Sequence, residues 1–302
     1  MTTPAGAHCA EYEHARGLAE TAKDDGRLAE ALTHYSAALQ AARVHGDGEL
    51  VDRALCAEAA LAIELGEIEA PVPGLREIVL RNGHAETCAL AARAIARAYE
   101  LKKDYRKSLF YARVARDRAE QAKSAERLAA ANNQIGNALL AQCVFEEAAE
   151  SYRRALCTIP AERTEWRLIC TANLGYCDLL QNKLRSGLRR IYSTLREARR
   201  QGLRRVEMIA RIDLCYAHLE MRRYRDAERY GARGLALAEE IGEVDLIKNA
   251  LYLSGQVAVL LDDEARGREI FAELQRRFYP GQPFLADLLV NVDVRPLINL
   301  RA

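Results

Sequence analysis

Proline is scarce in this chain, with 7 among 302 residues. Proline marks turns and edge strands, so this argues against a sandwich of many short strands. Aromatic residues make up 6%, and 53 alanines take the place of larger side chains; alanine has the highest helix propensity. No apolar run reaches the roughly 18 residues that span a bilayer. The start, Met1-Thr-Thr-Pro-Ala-Gly-Ala-His-Cys-Ala10, has no cationic stretch leading into an apolar one. The expectation is a soluble, cytoplasmic protein without membrane insertion. The eight cysteines never form a Cys-x-x-Cys pair, and in a chain long enough to bury cores of its own they read as small core thiols.

Motifs for catalysis are missing too. There is no His-Glu-x-x-His, no Gly-x-Ser-x-Gly, no phosphate-binding glycine loop and no Gly-x-Gly-x-x-Gly, the patterns that bring titratable or backbone groups to a reacting centre. The six histidines are isolated; His84 and Cys88, four apart, would supply half a metal site and have no further ligands in sequence. The expectation is a protein that is not an enzyme and carries no cofactor and no metal.

What is present is a repeat. The clearest unit reads Asn132-x-x-Ile135-Gly136-x-x-Leu139, then Ala148-x-x-x-Tyr152, Ala155 and Pro160. Twelve residues separate Gly136 from Ala148, and the same spacing links Ala19 to Ala31, Ala96 to Ser108, Gly175 to Gly187, Cys215 to Ala227 and Gly255 to Gly267. The first small position advances from Ala96 through Gly136, Gly175 and Cys215 to Gly255 in steps of 40, 39, 40 and 40. A small residue at this mark lets paired helices approach, and an apolar residue twelve to sixteen positions on fills the remaining gap. Seven helix pairs are expected. Gly46, Gly202 and Gly242 are placed to close second helices in the left-handed conformation. The second unit is irregular: after Leu50 to Leu65, only Leu75 to Leu80 remains for its second helix.

This order of small, large and proline positions resembles the tetratricopeptide repeat, whose usual period is about 34. The longer step is similar to the long-repeat members, such as kinesin light chains, cell-polarity adaptors and peptide-sensing quorum regulators. The resemblance covers roughly residues 10 to 278 and implies an all-α, right-handed α-solenoid. Residues 1–278 would form the repeat domain and 279–302 an apolar capping segment. That tail, running from Phe284 through Leu289 to Leu300, would cover the last repeat, or dock on a partner or on the protein's own groove.

The resemblance also implies that first helices line a concave groove, with the positions flanking the small residue pointing inward. Carried over residue by residue, this places Arg93 and Arg97 there, then Asn133, Gln134 and Asn137, then Asn173 and Tyr176. Asp213 and Tyr216 follow, with Asn249, Tyr252 and Gln256 last. Amides both donate and accept, which suits the alternating N–H and C=O of an extended peptide. The alternative is that they bridge neighbouring helices or face water.

The net charge of +1 hides local sign: residues 1–100 carry −7, residues 101–241 carry +10 and residues 242–302 carry −2. The basic stretch is densest at Arg185, Arg189, Arg190, Arg196, Arg199, Arg200, Arg204 and Arg205, with Glu197 the sole acid among them. It reads as a solvated face, as a site for an acidic protein, which includes the acidic end of a second copy, or less readily as a surface for nucleic acid or an anionic membrane, since no aromatic base-stacking platform is interleaved. The leading expectation is an adaptor or receptor that holds an extended peptide or a partner protein in its groove. The alternatives are a peptide-sensing subunit controlling a transcription factor, and a binder of acidic protein or nucleic acid through the basic fifth repeat.

Overall fold

The computed structural model describes residues 4–295, with side chains described from residue 10 onward. Pro296 and the apolar residues after it, which belong to the expected cap, lie outside the described residues. The helices group into two compact units, one up to Leu139 and one from Leu140 onward, and the boundary falls within a helix. No strand occurs among the described residues.

The first unit holds α1 (Pro4–Asp24), α2 (Leu28–His45), α3 (Gly48–Glu64), α4 (Val72–Arg81), α5 (Ala85–Leu101), α6 (Tyr105–Gln121) and the greater part of α7 (Ala125–Ala141). Adjacent helices pack as pairs, α1 with α2 and α5 with α6. The irregular second repeat has the short second helix expected of it: α4 is 10 residues long against 17 for α3. Leu75 and Ile78 on α4 are nonetheless buried against Ile63 of α3 and Ile95 of α5. Asp47 caps α3, its carboxylate accepting from the backbone N–H of Glu49 at 2.9 Å, which satisfies a donor the helix leaves without a partner.

The second unit holds α8 (Phe145–Thr158), α9 (Thr164–Leu180), α10 (Leu184–Gln201), α11 (Arg204–Glu220), α12 (Tyr224–Ile241), α13 (Val244–Leu260), α14 (Glu264–Phe278) and α15 (Leu285–Asn291). The small-to-large pairing is realised here. A Cβ on Gly175 would lie 2.8 Å from Ile191 Cγ1, one on Gly187 would lie 2.8 Å from the Gly175 carbonyl, and one on Gly255 would meet the Phe271 ring. Close backbone approach is therefore what these positions require, and Ile191 and Phe271 are fully buried in consequence. Gly202 and Gly242 end α10 and α12 at φ of 69° and 81°, as their place in the repeat requires.

The turns inside the pairs repeat with the same step. Lys103, Cys143, Asn182, Arg222 and Asp262 each adopt positive φ, between 58° and 63°, and none is glycine. The 40-residue period thus marks a left-handed turn as well as a packing contact, and L side chains accept its steric cost.

Five cysteines, Cys56, Cys88, Cys170, Cys177 and Cys215, are buried, as core thiols should be, whereas Cys143 and Cys157 are exposed. Burial pushes the Cys56, Cys170 and Cys215 thiols up to about 12, because a thiolate loses its hydration there.

Candidate functional site

In the first unit, positions expected to line a groove form a chain of polar contacts between first helices. Arg97 on α5 makes a two-pronged pair with Glu64 of α3, at 2.9 and 3.0 Å, and reaches Glu100 at 3.0 Å. Gln134 on α7 donates to the same Glu100 carboxylate at 2.6 Å. Burial alone would lower the Arg97 pKa; the two carboxylates outweigh it and hold the guanidinium charged well above its usual range. Arg93 is less well compensated: burial, then the nearby Arg127, depress its pKa against the opposing pull of Glu64, and its buried Nε has no hydrogen-bond partner among the described residues. Asn133 and Asn137 are half-buried on α7. In this unit, then, Arg97 and Gln134 spend their hydrogen bonds on neighbouring helices. Glu64 and Glu100 complete the contact and were not singled out from sequence; the one signal was Glu100 three residues after Arg97.

In the second unit the face is aromatic and acidic. Tyr176 on α9 is buried beside Tyr216 on α11, ring centroids 5.6 Å apart. Asp213 is buried and Asn173 and Asn249 are half-buried. Tyr252 on α13 is buried, its hydroxyl without a hydrogen-bond partner among the described residues. Burial, then Asp293, raises the Tyr252 pKa, while burial and Glu220 push Tyr216 up to about 12.

The carboxyl-terminal segment reaches these same residues. Gln256 donates to the Leu289 carbonyl in the last turn of α15 at 3.1 Å. Beyond α15, Val294 packs against the hydrophobic cluster of α11 and α13. Arg295 grips Asp293 at 2.6 Å and meets Glu220 of α11 at 3.3 Å, and its guanidinium holds the Asp293 carboxyl below the usual carboxylate range. An amide of a first helix thus binds a backbone carbonyl of a segment laid against it, and an acid at the end of another first helix holds that segment's arginine.

The basic positions divide into two classes. Arg190 pairs with the buried Asp178 at 3.0 Å, Arg200 with Glu197 at 2.5 Å, Arg205 with Glu243 at 2.6 Å and Arg204 with Glu240. Arg185, Arg189, Arg196 and Arg199 are exposed on α10. Beneath α10 lies a cluster that sequence reading missed, since its members are far apart in the chain: Tyr192 Oη lies 2.7 Å from His218 Nε2, and His218 stacks on Tyr230 with centroids 5.3 Å apart. Among the described residues no group of three or more His, Cys, Asp or Glu side chains is placed to hold a metal ion. Nor is any helix among them long and apolar enough to cross a membrane.

No protein-family model matches the sequence, and no curated protein matches it. Solved structures do match. The fold is that of the tetratricopeptide repeat proteins. The apo quorum sensor NprR from B. thuringiensis is 15% identical, with a TM-score of 0.65 over 89% of this chain and 81% of that one. A signal-transduction ATPase with a tetratricopeptide repeat sensor, from Pyrococcus horikoshii, is 17% identical with a TM-score of 0.67 over 96% of this chain and 46% of its own. A Rap protein complexed with competence and sporulation factor is 16% identical, TM-score 0.51, over 96% and 75% of the two chains. At these identities the tetratricopeptide likeness is one of fold, carried by helix pairs and their spacing.

Proposed function

We propose that the chain is a non-enzymatic, cytoplasmic receptor or adaptor whose first-helix faces hold an extended peptide or a segment of a partner protein. One observation carries this reading: Gln256 and Glu220 already hold a backbone carbonyl and an arginine of the chain's own terminal segment. Each is the kind of contact a peptide offers at intervals, a main-chain acceptor and a side-chain charge. The amide-bearing position Asn173 lies half-buried on α9, where a peptide backbone could exchange water for protein without stranding polar groups. The absence of nucleophile and phosphate-loop motifs supports a binding role over catalysis. Two of the structural neighbours are described as sensors, which favours a regulatory form of the receptor, controlling a second protein according to the peptide it holds.

Selection from a displayed random-peptide library, followed by calorimetric titration of the selected peptide, tests the reading. Asn173→Ala combined with Asn249→Ala is expected to weaken binding at least tenfold while leaving the melting temperature within about 2 °C, since half-buried polar truncations cost little stability. Equal affinity of the double variant would remove the groove from consideration.

A further inference from the structure

The outward face of α10 carries charge that its surroundings leave uncompensated. Arg185, Arg189, Arg196 and Arg199 are exposed and make no ion pair with any described residue. The neighbouring second helices pair most of theirs: Arg266 on α14 pairs with Glu228 on α12 at 2.6 Å and Arg277 with Glu239 at 2.5 Å, and among the described residues one exposed arginine on each, Arg233 and Arg276, is left without an ion pair. On α8, Glu150 takes both Arg153 and Arg154. Helix stability accounts for Arg199, which sits in the last turn where the dipole favours a cation, and not for the others. The first turn of α10 contains no acid and follows Lys183, so positive charge sits at the positive end of the helix dipole, and like charges stand four apart at Arg185 and Arg189; both arrangements oppose the helix.

The spacing is informative. Together with the exposed Tyr192, the four arginines fall at intervals of 4, 3, 4 and 3 residues. This is the spacing at which one helix keeps contact with a second helix over successive turns, here along about 21 Å at 1.5 Å per residue. A seam of arginines at that spacing suits a helix with carboxylates facing it, because each guanidinium can take a carboxylate with two parallel hydrogen bonds. Nucleic acid is less well served. The Tyr230 ring is stacked on His218 and approached by the Arg229 guanidinium at 5.2 Å, which leaves Tyr192 as the one exposed ring of this cluster, short of the successive platforms that base stacking uses.

We propose that the outward face of α10 is a docking seam for an acidic helical segment of a partner protein, with glutamate or aspartate at matching spacing. The seam is separate from the first-helix face and stands or falls independently of the peptide-receptor reading.

Fluorescence anisotropy with three probes decides the matter: an 18-residue alanine-rich helical peptide with glutamates at 4-3-4-3 spacing, its scrambled isomer of equal composition, and a 20-base-pair DNA duplex. The seam peptide is expected to bind at least tenfold tighter than the scrambled one and the duplex, and to weaken at least tenfold between 50 and 500 mM salt, as exposed charge pairing must. Arg189→Glu with Arg196→Glu should abolish binding with an unchanged circular dichroism spectrum, and Arg189→Gln with Arg196→Gln should weaken it at unchanged fold. Equal binding of the scrambled peptide, preference for the duplex, no binding of the seam peptide, or indifference to both variants overturns the proposal. A dimer in sedimentation of the protein alone that charge reversal dissociates also overturns it, by assigning the seam to a second copy.

Discussion

Arg295 lies 75 positions beyond Glu220 in sequence and 3.3 Å from it in space. The contact carries the chain past α15 and back onto α11, so the end of the described chain rests on the face expected to receive a partner. Gln256 holds the same segment one step earlier, through Leu289.

Loss of this contact should loosen the segment locally. The pair is partly exposed, with side chains 20% and 40% accessible, which limits its worth to about 0.2–1 kcal/mol. Arg295→Ala is therefore expected to speed amide hydrogen exchange in Leu285–Asn291 about two- to fivefold and leave α9 unchanged. Uniform acceleration across both would show that the pair supports the unit as a whole.

Overpacking should reveal the small position. A Cβ on Gly255 would lie 2.7 Å from Phe271 Cδ1, so Gly255→Ala should destabilise by about 1–3 kcal/mol. Adding Phe271→Leu should recover part of that loss. Urea unfolding of the single and double variants measures both, and additive losses would mean that the two side chains do not compete for one space.

The left-handed turns predict opposite signs for exchanges in opposite directions. Arg222, at φ 58°, is a side chain where glycine would be relaxed, so Arg222→Gly should stabilise by about 0.5 kcal/mol after the entropy of the unfolded chain is counted. Gly242, at φ 81° with open space around it, should lose about 1 kcal/mol on conversion to alanine for conformational reasons alone. Thermal unfolding reads both; matching signs would refute the conformational account.

His218 should make stability depend on pH. Burial lowers its pKa below the ordinary 6.5; Asp226 opposes the shift, and Arg223 and Arg229 add to it. The unfolded chain then binds the proton more readily than the folded one, so the contribution is complete above pH 6.5 and is lost as pH falls below it toward the folded value. His218→Gln keeps an acceptor for Tyr192 and removes the titration. Between pH 7.5 and 5.5 the native protein should lose more unfolding free energy than this variant; parallel losses would exclude His218 as the source.

Much of the fold was legible because its causes are local and periodic. Ala96, Gly175, Cys215 and Gly255 fall one repeat or two apart since each permits the same helix approach, and Gly202 and Gly242 announce helix ends by a conformation that few other residues accept. The candidate site was legible only as positions. Gln134 and Gln256 were read alike as groove amides, yet one laces α7 to α5 through Glu100 and the other binds the carbonyl of α15. Nothing local to either glutamine separates the two outcomes, which depend on partners 34 and 33 positions away.

The sequence by itself determined the helix pairs, their 40-residue step, the short α4 and the concentration of arginine on α10, since propensity, side-chain size and charge act within a few turns of chain. Tertiary structure decided which charges remain available. Arg190 and Arg196 are six positions apart on α10, but the buried Asp178 of α9 takes Arg190, while Arg196 is left exposed. An ion pair forms wherever folding brings opposite charges within reach, and that distance is fixed by the packing of one helix on another.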